Sequence, residues 1–368
     1  MQKDIPRIAF LLGSTSSNGG IERVTSIIAD KLTEKELAKV YAIGYQPRKN
    51  EQVYKWNERV TFYDLLTNWE SMKTGIFKAI PRLRKFLNHN NIDVLVVCGH
   101  RFCSLGGLSS LGIPTRMIYW SHSSFNGEVV AFKKMNEHFG AIRSDVVLSL
   151  TKADEHNYRK KTAAKKVVQI YNPIDEKLLL NETPYNPNTK KIISVGRLDD
   201  PKNFESYLLE VAKIVLMKNP EYTWHIYGKG SLESKIRENI QKLGLEGKVI
   251  LEGNVNNLYE LYSNFSIMVM TSSYEGFPMT LLEGMSKKLP LISFDIQTGP
   301  NEIIKDNKNG FLIPSFDTKL MAEKLEQLIH NEDLRIEFSE TNKSLIKKFK
   351  LDTIISQWIS LIEMLNFT

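Results

Sequence analysis

Three segments of the chain combine charge, glycine and hydroxyl groups at spacings suited to a phosphorylated, hydroxyl-rich ligand. In Ser273-Tyr274-Glu275-Gly276-Phe277-Pro278-Met279-Thr280-Leu281-Leu282-Glu283-Gly284, two carboxylates are separated by seven residues. Each carboxylate can accept two hydroxyl hydrogen bonds, from a sugar or a ribose. Pro278 is expected at the first position of a helix, which leaves Glu275 in the preceding loop and Glu283 about a turn inside. Glu283 also fits an exposed helix glutamate, whereas Glu275 has no cap or helix pair to serve. In Val195-Gly196-Arg197-Leu198-Asp199-Asp200-Pro201-Lys202-Asn203, Arg197 and Lys202 lie between a strand end and a helix start. A diphosphate suits such a pair, with Arg as a planar fork and Lys as a point charge; two solvated cations in a turn fit as well. In Gly13-Ser14-Thr15-Ser16-Ser17-Asn18-Gly19-Gly20-Ile21-Glu22-Arg23, Gly19 and Gly20 admit close approach of backbone at a helix N-terminus. A phosphate is the natural guest there, and a plain Gly-rich turn is the alternative, since the loop lacks both the P-loop ending and the dinucleotide spacing.

The elements that must position these loops are short apolar runs alternating with amphipathic segments, a βα pattern that predicts parallel sheets. In the first half, strands are expected at Ile8–Leu12, Val40–Gly44, Val60–Tyr63, Val94–Cys98, Thr115–Trp120 and Val146–Leu150, with helices at Gly20–Thr33, Gly75–His89 and Glu128–Ile142. In the second half, strands are expected at Lys191–Val195, Thr223–Tyr227, Lys248–Glu252, Ile267–Met270, Pro290–Phe294 and Gly310–Ile313. Helices there are expected at Asn203–Lys218, Ser231–Leu243, Asn257–Ser263, Met279–Lys287, Thr318–His330 and Glu332–Lys348. The fold class is α/β, two doubly wound Rossmann-like domains, in which ligands bind beyond the carboxyl ends of the strands. The Asn172-Pro173 turn and the polar stretch to Lys190 place the boundary: residues 1–171, then 172–350, then a terminal segment 351–368. The amphipathic stretch Leu351–Phe367 either ends the second domain or crosses back to the first.

Composition sets the limits. The 368 residues are 42% hydrophobic and 25% charged, which excludes a disordered or fibrous chain. Cys98 and Cys103 are too few for a disulfide framework or a four-cysteine zinc site, and read as buried reduced thiols in a cytoplasmic setting. No apolar run approaches the roughly 20 residues of a membrane span, and Ile8–Leu12 is too short for a signal peptide. Residues 1–171 carry 26 Lys+Arg against 15 Asp+Glu, and the remainder 23 against 27. A basic first half expects an anionic surface or partner, or is a solvated basic face. With no aromatic platform or reading helix in it, nucleic acid is not expected.

Together these motifs resemble those of retaining GT-B glycosyltransferases of family four, the glycosyl transferases group 1. The resemblance rests on Glu275 to Glu283 within Tyr-Glu-Gly-Phe-Pro-Met-Thr-Leu-Leu-Glu, on Gly-Gly-Ile-Glu-Arg-Val, and on Val-Gly-Arg-Leu to Lys-Asn. It extends to Tyr227-Gly228-Lys229-Gly230, Leu251-Glu252-Gly253-Asn254-Val255, Thr298-Gly299-Pro300-Asn301-Glu302-Ile303-Ile304 and Asn309-Gly310-Phe311-Leu312-Ile313. It covers nearly all of the second half and the first half thinly. It implies two domains facing each other across a cleft, acceptor-binding first and donor-binding second, and transfer of a hexose from a UDP-sugar with retention and without a metal. UDP-galactose, UDP-glucose and UDP-N-acetylhexosamines all remain candidate donors, serving as co-substrate with no cofactor.

Carried over residue by residue, Arg197 and Lys202 would hold the donor diphosphate and stabilise it as it leaves. Glu275 would accept from hydroxyls of the transferred sugar, as a positioning group and not a nucleophile, and Glu283 from the ribose. Backbone at Asn254 and Val255 would meet the base, with Leu282 packed nearby, and Gly19, Gly20, Gly276, Phe277, Met279 and Thr280 would complete the donor site. His122, in Trp120-Ser121-His122-Ser123, matches the histidine that touches the donor sugar. The family often has Gly where this chain has Pro278, so one backbone N–H is missing.

The acceptor is expected to be a saccharide or a polyprenyl- or other lipid-linked saccharide in surface-glycan assembly, of capsule or lipopolysaccharide type. The stretch from Lys73 to Phe86 interleaves cations with Ile, Phe and Leu, and Arg159-Lys160-Lys161 with Lys165-Lys166 adds charge. Such a stretch can lie on anionic lipid, making the protein peripheral on the inner membrane face, unless its apolar side is core. Alternative readings are a non-catalytic GT-B partner subunit and a sugar-nucleotide epimerase or hydrolase.

Overall fold

The computed structural model describes residues 5–49, 53–127, 130–180 and 184–365. The chain divides into two compact units, one of Met1–Pro173 with Asp352–Thr368, the other of Ile174–Leu351. Glu128 and Val129 of an expected helix, Asn366 and Phe367 of another, and 181–183 of the polar stretch lie outside the described residues.

The first unit runs β1 (Arg7–Leu12), α1 (Gly20–Glu34), β2 (Lys39–Gly44), β3 (Thr61–Asp64), α2 (Met72–His89), β4 (Val94–Cys98), α3 (Cys103–Ser109), β5 (Arg116–Trp120), α4 (Ala131–Arg143), β6 (Val146–Ser149), α5 (Lys152–Lys161) and β7 (Val167–Gln169). Its strands form one parallel sheet in the order β3-β2-β1-β4-β5-β6-β7. Ile8 to Leu12 and Val94 to Val97 are fully buried, as continuous apolar strands covered on both faces must be. Helix α1 buries Val24, Ile28 and Leu32, a stripe at i, i+4 and i+8 that faces the sheet.

Helices α3 and α5 are absent from the sequence-based reading. Gly106 and Gly107 weaken the helical signal of α3, yet side chains there would meet Val97 Cγ2 at 2.5 Å and Phe139 Cε1 at 2.7 Å, so close packing demands glycine. Helix α5 carries almost no apolar pattern and starts instead on a cap, Asp154 N–H donating to Thr151 Oγ1 at 3.1 Å. Cys98 and Cys103 are buried free thiols. On α2, Leu83 and Phe86 are buried in the core, so much of the apolar side offered to lipid is interior. Phe77, 77% exposed, stays outside with Lys73, Lys78, Arg82 and Lys85.

The second unit runs β8 (Lys191–Val195), α6 (Leu209–Lys218), β9 (Thr223–Tyr227), α7 (Glu233–Lys242), β10 (Val249–Gly253), α8 (Leu258–Leu261), β11 (Ile267–Met270), α9 (Met279–Ser286), β12 (Leu291–Asp295), α10 (Pro300–Ile303), β13 (Gly310–Pro314), α11 (Thr318–His330) and α12 (Glu332–Leu345). Its parallel sheet has the order β10-β9-β8-β11-β12-β13. The helix expected from Asn203 starts there as a π-helical turn over Phe204–Leu208, with Asn203 left-handed at φ 54° as its cap and Leu208 N–H donating to the Asn203 carbonyl at 3.1 Å, and continues as α6. Pro278 stands at the cap of α9, one residue before the first helical position.

The last helix, α13 (Leu351–Met364), carries its residues from Asp352 onward into the first unit. There Trp358 packs against Trp120 at 4.9 Å and Phe10 at 6.1 Å between ring centroids.

In both sheets the strand order reverses direction once, between β1 and β4 and between β8 and β11. Loops that leave neighbouring strands at such a point diverge to opposite faces and open a crevice. The loops after β1, β8 and β11 are the three singled out by residue type.

Candidate active site

At the switch point of the second unit, the loops after β8 and β11 are sewn together. Thr271 Oγ1 donates to the Lys202 carbonyl at 2.8 Å, and Asn203 Nδ2 to the Thr271 carbonyl at 3.1 Å. Ser273 N–H donates to the Pro201 carbonyl at 2.8 Å. This lacing brings Lys202 Nζ into an ion pair with Glu275 Oε1, the side chains only 17% and 15% exposed. Ser272 Oγ donates to the same oxygen at 2.7 Å, and Thr298 Oγ1 donates to the Glu275 carbonyl at 2.6 Å. Among the described residues, the side-chain hydrogen bonds to the Glu275 carboxylate fall on Oε1, and Oε2 can accept from a ligand hydroxyl. Ser272, next to the motif, is absent from the sequence-based reading; Thr298 stands there only within the closing segment, and its hydrogen bond to Glu275 from the loop after β12 is not expected from the sequence.

Arg197 is not beside Lys202's carboxylate. Its side chain is 81% exposed and pairs with Asp199 Oδ2 at 3.0 Å, while Asp199 Oδ1 accepts from Ser231 N–H and Oγ, each at 3.2 Å. The two cations expected to converge thus rest on different carboxylates. The turn that carries them is fixed by glycine. Gly228 has φ 144°, and a side chain on it would fall 1.9 Å from the Gly196 carbonyl oxygen. Gly228 N–H in turn donates to Gly253 at 2.7 Å, so the ends of β8, β9 and β10 lie in backbone contact. Asn254 is exposed and Val255 half-buried beside them.

Glu283 is 3% exposed, which removes the reading of an exposed helix glutamate. Tyr262 Oη donates to its Oε2 at 2.7 Å, a buried partner with no local sequence signal. Leu282 and Phe277 are buried, while Gly276, Met279 and Thr280 are half-buried along the loop and first turn of α9.

In the first unit, Gly19 caps α1 without a side-chain hydrogen bond, and a side chain there would strike Glu22 Oε2 at 2.2 Å. The Glu22 carboxylate folds over Gly19, and burial raises its pKa. Gly20 is exposed and faces open space. His122 packs against Trp120 with ring centroids 4.3 Å apart and the two planes tilted by 46°. Burial pushes the imidazole pKa down to about 3, so the ring is neutral, and its Nε2 is buried with no hydrogen-bond partner among the described residues. A neutral imidazole nitrogen can donate to or accept from one hydroxyl. Among the described residues, no cluster of three or more His, Cys, Asp or Glu has metal-binding geometry.

Two parallel sheets of these orders, each with helices around it and a switch point at its centre, have the architecture of the GT-B fold. The family model of glycosyl transferases group 1 matches residues 175–345. The chain is 31% identical over 359 residues to the poly(ribitol-phosphate) alpha-N-acetylglucosaminyltransferase of Staphylococcus aureus, covering 94% of this chain and 72% of that protein. It is 25% identical over 367 residues to the GalNAc-alpha-(1->4)-GalNAc-alpha-(1->3)-diNAcBac-PP-undecaprenol alpha-1,4-N-acetyl-D-galactosaminyltransferase of Campylobacter jejuni, covering 97% of this chain and 98% of that protein. Among solved structures, S. aureus TarM superposes with a TM-score of 0.82 at 17% identity, covering 97% of this chain and 99% of that one. The chain belongs to the glycosyl transferases group 1 family and is a glycosyltransferase.

Proposed function

We propose that the protein transfers a hexose or N-acetylhexosamine from a UDP-sugar, with retention and without a metal, to a saccharide or lipid-linked saccharide of a surface glycan. The observation that carries this reading is the Lys202–Glu275 pair, an ammonium and a carboxylate held side by side at the switch point. A nucleotide diphosphate and its sugar need these two groups together. Lys202 and Arg197 hold the diphosphate and stabilise the charge that builds on it as the glycosidic bond breaks. Glu275 Oε2 accepts from the sugar, Glu283 from the ribose, and backbone at Asn254 and Val255 meets the uracil. By the same reading, the Gly19–Gly20 backbone can meet a phosphate and the His122 imidazole a sugar hydroxyl. The leaving phosphate oxygen takes the acceptor proton on the face it vacates, and the acceptor hydroxyl bonds to the anomeric carbon on that same face.

Support for the donor and acceptor classes comes from relatives named for alpha-linked N-acetylhexosaminyl transfer to poly(ribitol-phosphate) and to an undecaprenol-linked saccharide. Among the described residues no helix is long and apolar enough to cross a membrane. We place the protein in the cytoplasm, peripheral on the membrane through Lys73, Phe77 and Lys85 of α2. Binding to liposomes containing anionic lipid at low salt tests that contact, and no binding there ends the claim.

The deciding experiment is saturation-transfer NMR with UDP-, GDP- and ADP-sugars in EDTA. A UDP-sugar bound by the wild type, and weakened by Arg197→Ala and Glu275→Ala, supports the reading. Binding of none of them overturns it.

A further inference from the structure

The turn after β5 is tied down residue by residue. Ser121 Oγ shares a hydrogen bond of 2.9 Å with Tyr158 Oη. Ser123 Oγ donates to Glu137 Oε1 at 3.4 Å, and the Ser124 carbonyl accepts from Lys133 Nζ at 3.0 Å. Phe125 N–H donates to Asp154 Oδ1 at 3.1 Å, and Asn126 Oδ1 accepts from Lys161 Nζ at 2.9 Å. Within this run His122 is the residue whose ring nitrogen Nε2 is left without a partner among the described residues.

The central anchors are charged and interior: Lys133, Glu137 and Asp154 are 9%, 2% and 3% exposed. Lys133 Nζ lies 3.9 Å from Glu137 Oε1, so one ammonium answers a pair of carboxylates. Burying such groups costs more than an apolar contact would, and a surface turn needs no such hold for stability alone. We propose that Lys133, Glu137 and Asp154 are positioning residues that set the orientation of His122 through the Ser123–Phe125 backbone and hydroxyls. This rests on the reading that His122 touches the transferred sugar.

The set is poised to respond to pH. Burial raises the Glu137 pKa to about 7, with the Asp154 charge raising it too and Lys133 and Ser123 pulling it down. Burial likewise raises Asp154. Tyr119 on β5, Cys103 on α3 and Tyr158 on α5 also face Glu137, and burial holds all three protonated. A cavity of about 380 Å³ lined by Lys134, His138 and Lys161 adjoins it. Ionised Glu137 accepts from Ser123 and balances Lys133, whereas the protonated form loses the charge that draws both inward.

The test uses the full chain, with UDP and with each of UDP-glucose, UDP-galactose, UDP-GlcNAc and UDP-GalNAc as probes. Glu137→Ala and Ser123→Ala are expected to shift the His122 Cε1–H resonance in imidazole-labelled protein, and Glu137→Gln, which keeps an acceptor for Ser123, to restore it. Affinity for the UDP-sugar relative to UDP falls about tenfold in Glu137→Ala, with UDP itself unchanged; in a His122→Ala background the same substitution has no further effect. The pH dependence of that ratio near 7 flattens in Glu137→Gln. A His122 resonance unmoved in the folded alanine variants overturns the proposal, as does an undiminished effect in the His122→Ala background. A resonance that moves while His122→Ala leaves UDP-sugar affinity intact supports the positioning and overturns only the role given to His122.

Discussion

In the free protein the Lys202 ammonium rests on the Glu275 carboxylate, which Ser272 also engages. A diphosphate that recruits Lys202 must therefore compete with Glu275, while the sugar depends on Glu275 itself. Glu275→Gln separates these roles. It keeps the shape and an acceptor for Ser272 but removes the charge that holds Lys202. A hydrogen bond to a charged acceptor contributes about 1.5–3 kcal/mol, so transfer efficiency is expected to fall about 10- to 150-fold. Affinity for UDP alone is expected to stay the same or tighten, because Lys202 is released. Isothermal titration with UDP and with the UDP-sugar, beside initial rates of UDP release in the presence of acceptor, measures both. A UDP affinity weakened more than about tenfold, beyond one charged hydrogen bond's lower range, would refute the competition. It would mean that Glu275 serves to hold Lys202 in place for the phosphates.

Arg197→Ala removes an exposed pair with Asp199, so thermal stability should change by less than about 0.5 kcal/mol, while UDP affinity drops about tenfold; an unchanged UDP titration would count against the diphosphate role. Tyr262→Phe takes a donor from buried Glu283 and should destabilise the protein by about 1–3 kcal/mol. Its loss of UDP affinity should vanish with 2′,3′-dideoxy-UDP if Glu283 serves the ribose. Trp358→Ala empties the space against Phe10 and Trp120 and should cost about 3–5 kcal/mol in denaturant unfolding of the first unit. For Glu137, the pKa raised from 4.5 to about 7 means that the folded state holds a proton the unfolded chain releases. Stability should therefore fall as pH rises through that window, by at most about 3 kcal/mol. Glu137→Gln should flatten the decline in melting temperature between about pH 5 and pH 8, and an equal slope in both proteins rejects the assignment.

Much of the secondary structure is legible because its signals are local. The strands Val94–Cys98 and Ile267–Met270 lie where apolar runs place them, since a strand buried on both faces reads as a continuous apolar run, and Lys191–Val195 and Thr223–Tyr227 also match their expected bounds. The helix Thr318–His330 likewise follows its periodicity. Helix α3 escapes because its glycines serve contacts with Val97 and Phe139 that lie outside its own window. Helix α5 escapes because a charged helix is held by its cap and its neighbours, not by an apolar stripe. Leu83 and Phe86 show the converse: an amphipathic, basic stretch reads as a lipid surface until the sheet it covers is known.

In the candidate site, the residue types at 197, 202, 275 and 283 are plain in the sequence, and so is their place in strand-to-helix loops. Their arrangement is not. Lys202 meets Glu275 across 73 positions of chain, and Arg197, five residues from Lys202, turns instead to Asp199. Tyr262 on Glu283 and the anchors beneath His122 have no local signature at all.

By itself the sequence determined the alternation of strands and helices, the parallel character of the sheets and the chemical kinds of group at their ends, because hydrophobic period and turn chemistry act within a few residues. The tertiary structure alone decided the strand order that creates the switch points, the return of α13 to the first unit, and which ammonium rests on which carboxylate. Those outcomes depend on contacts between residues far apart in the chain, whose distances are set only when both sheets have closed over their cores.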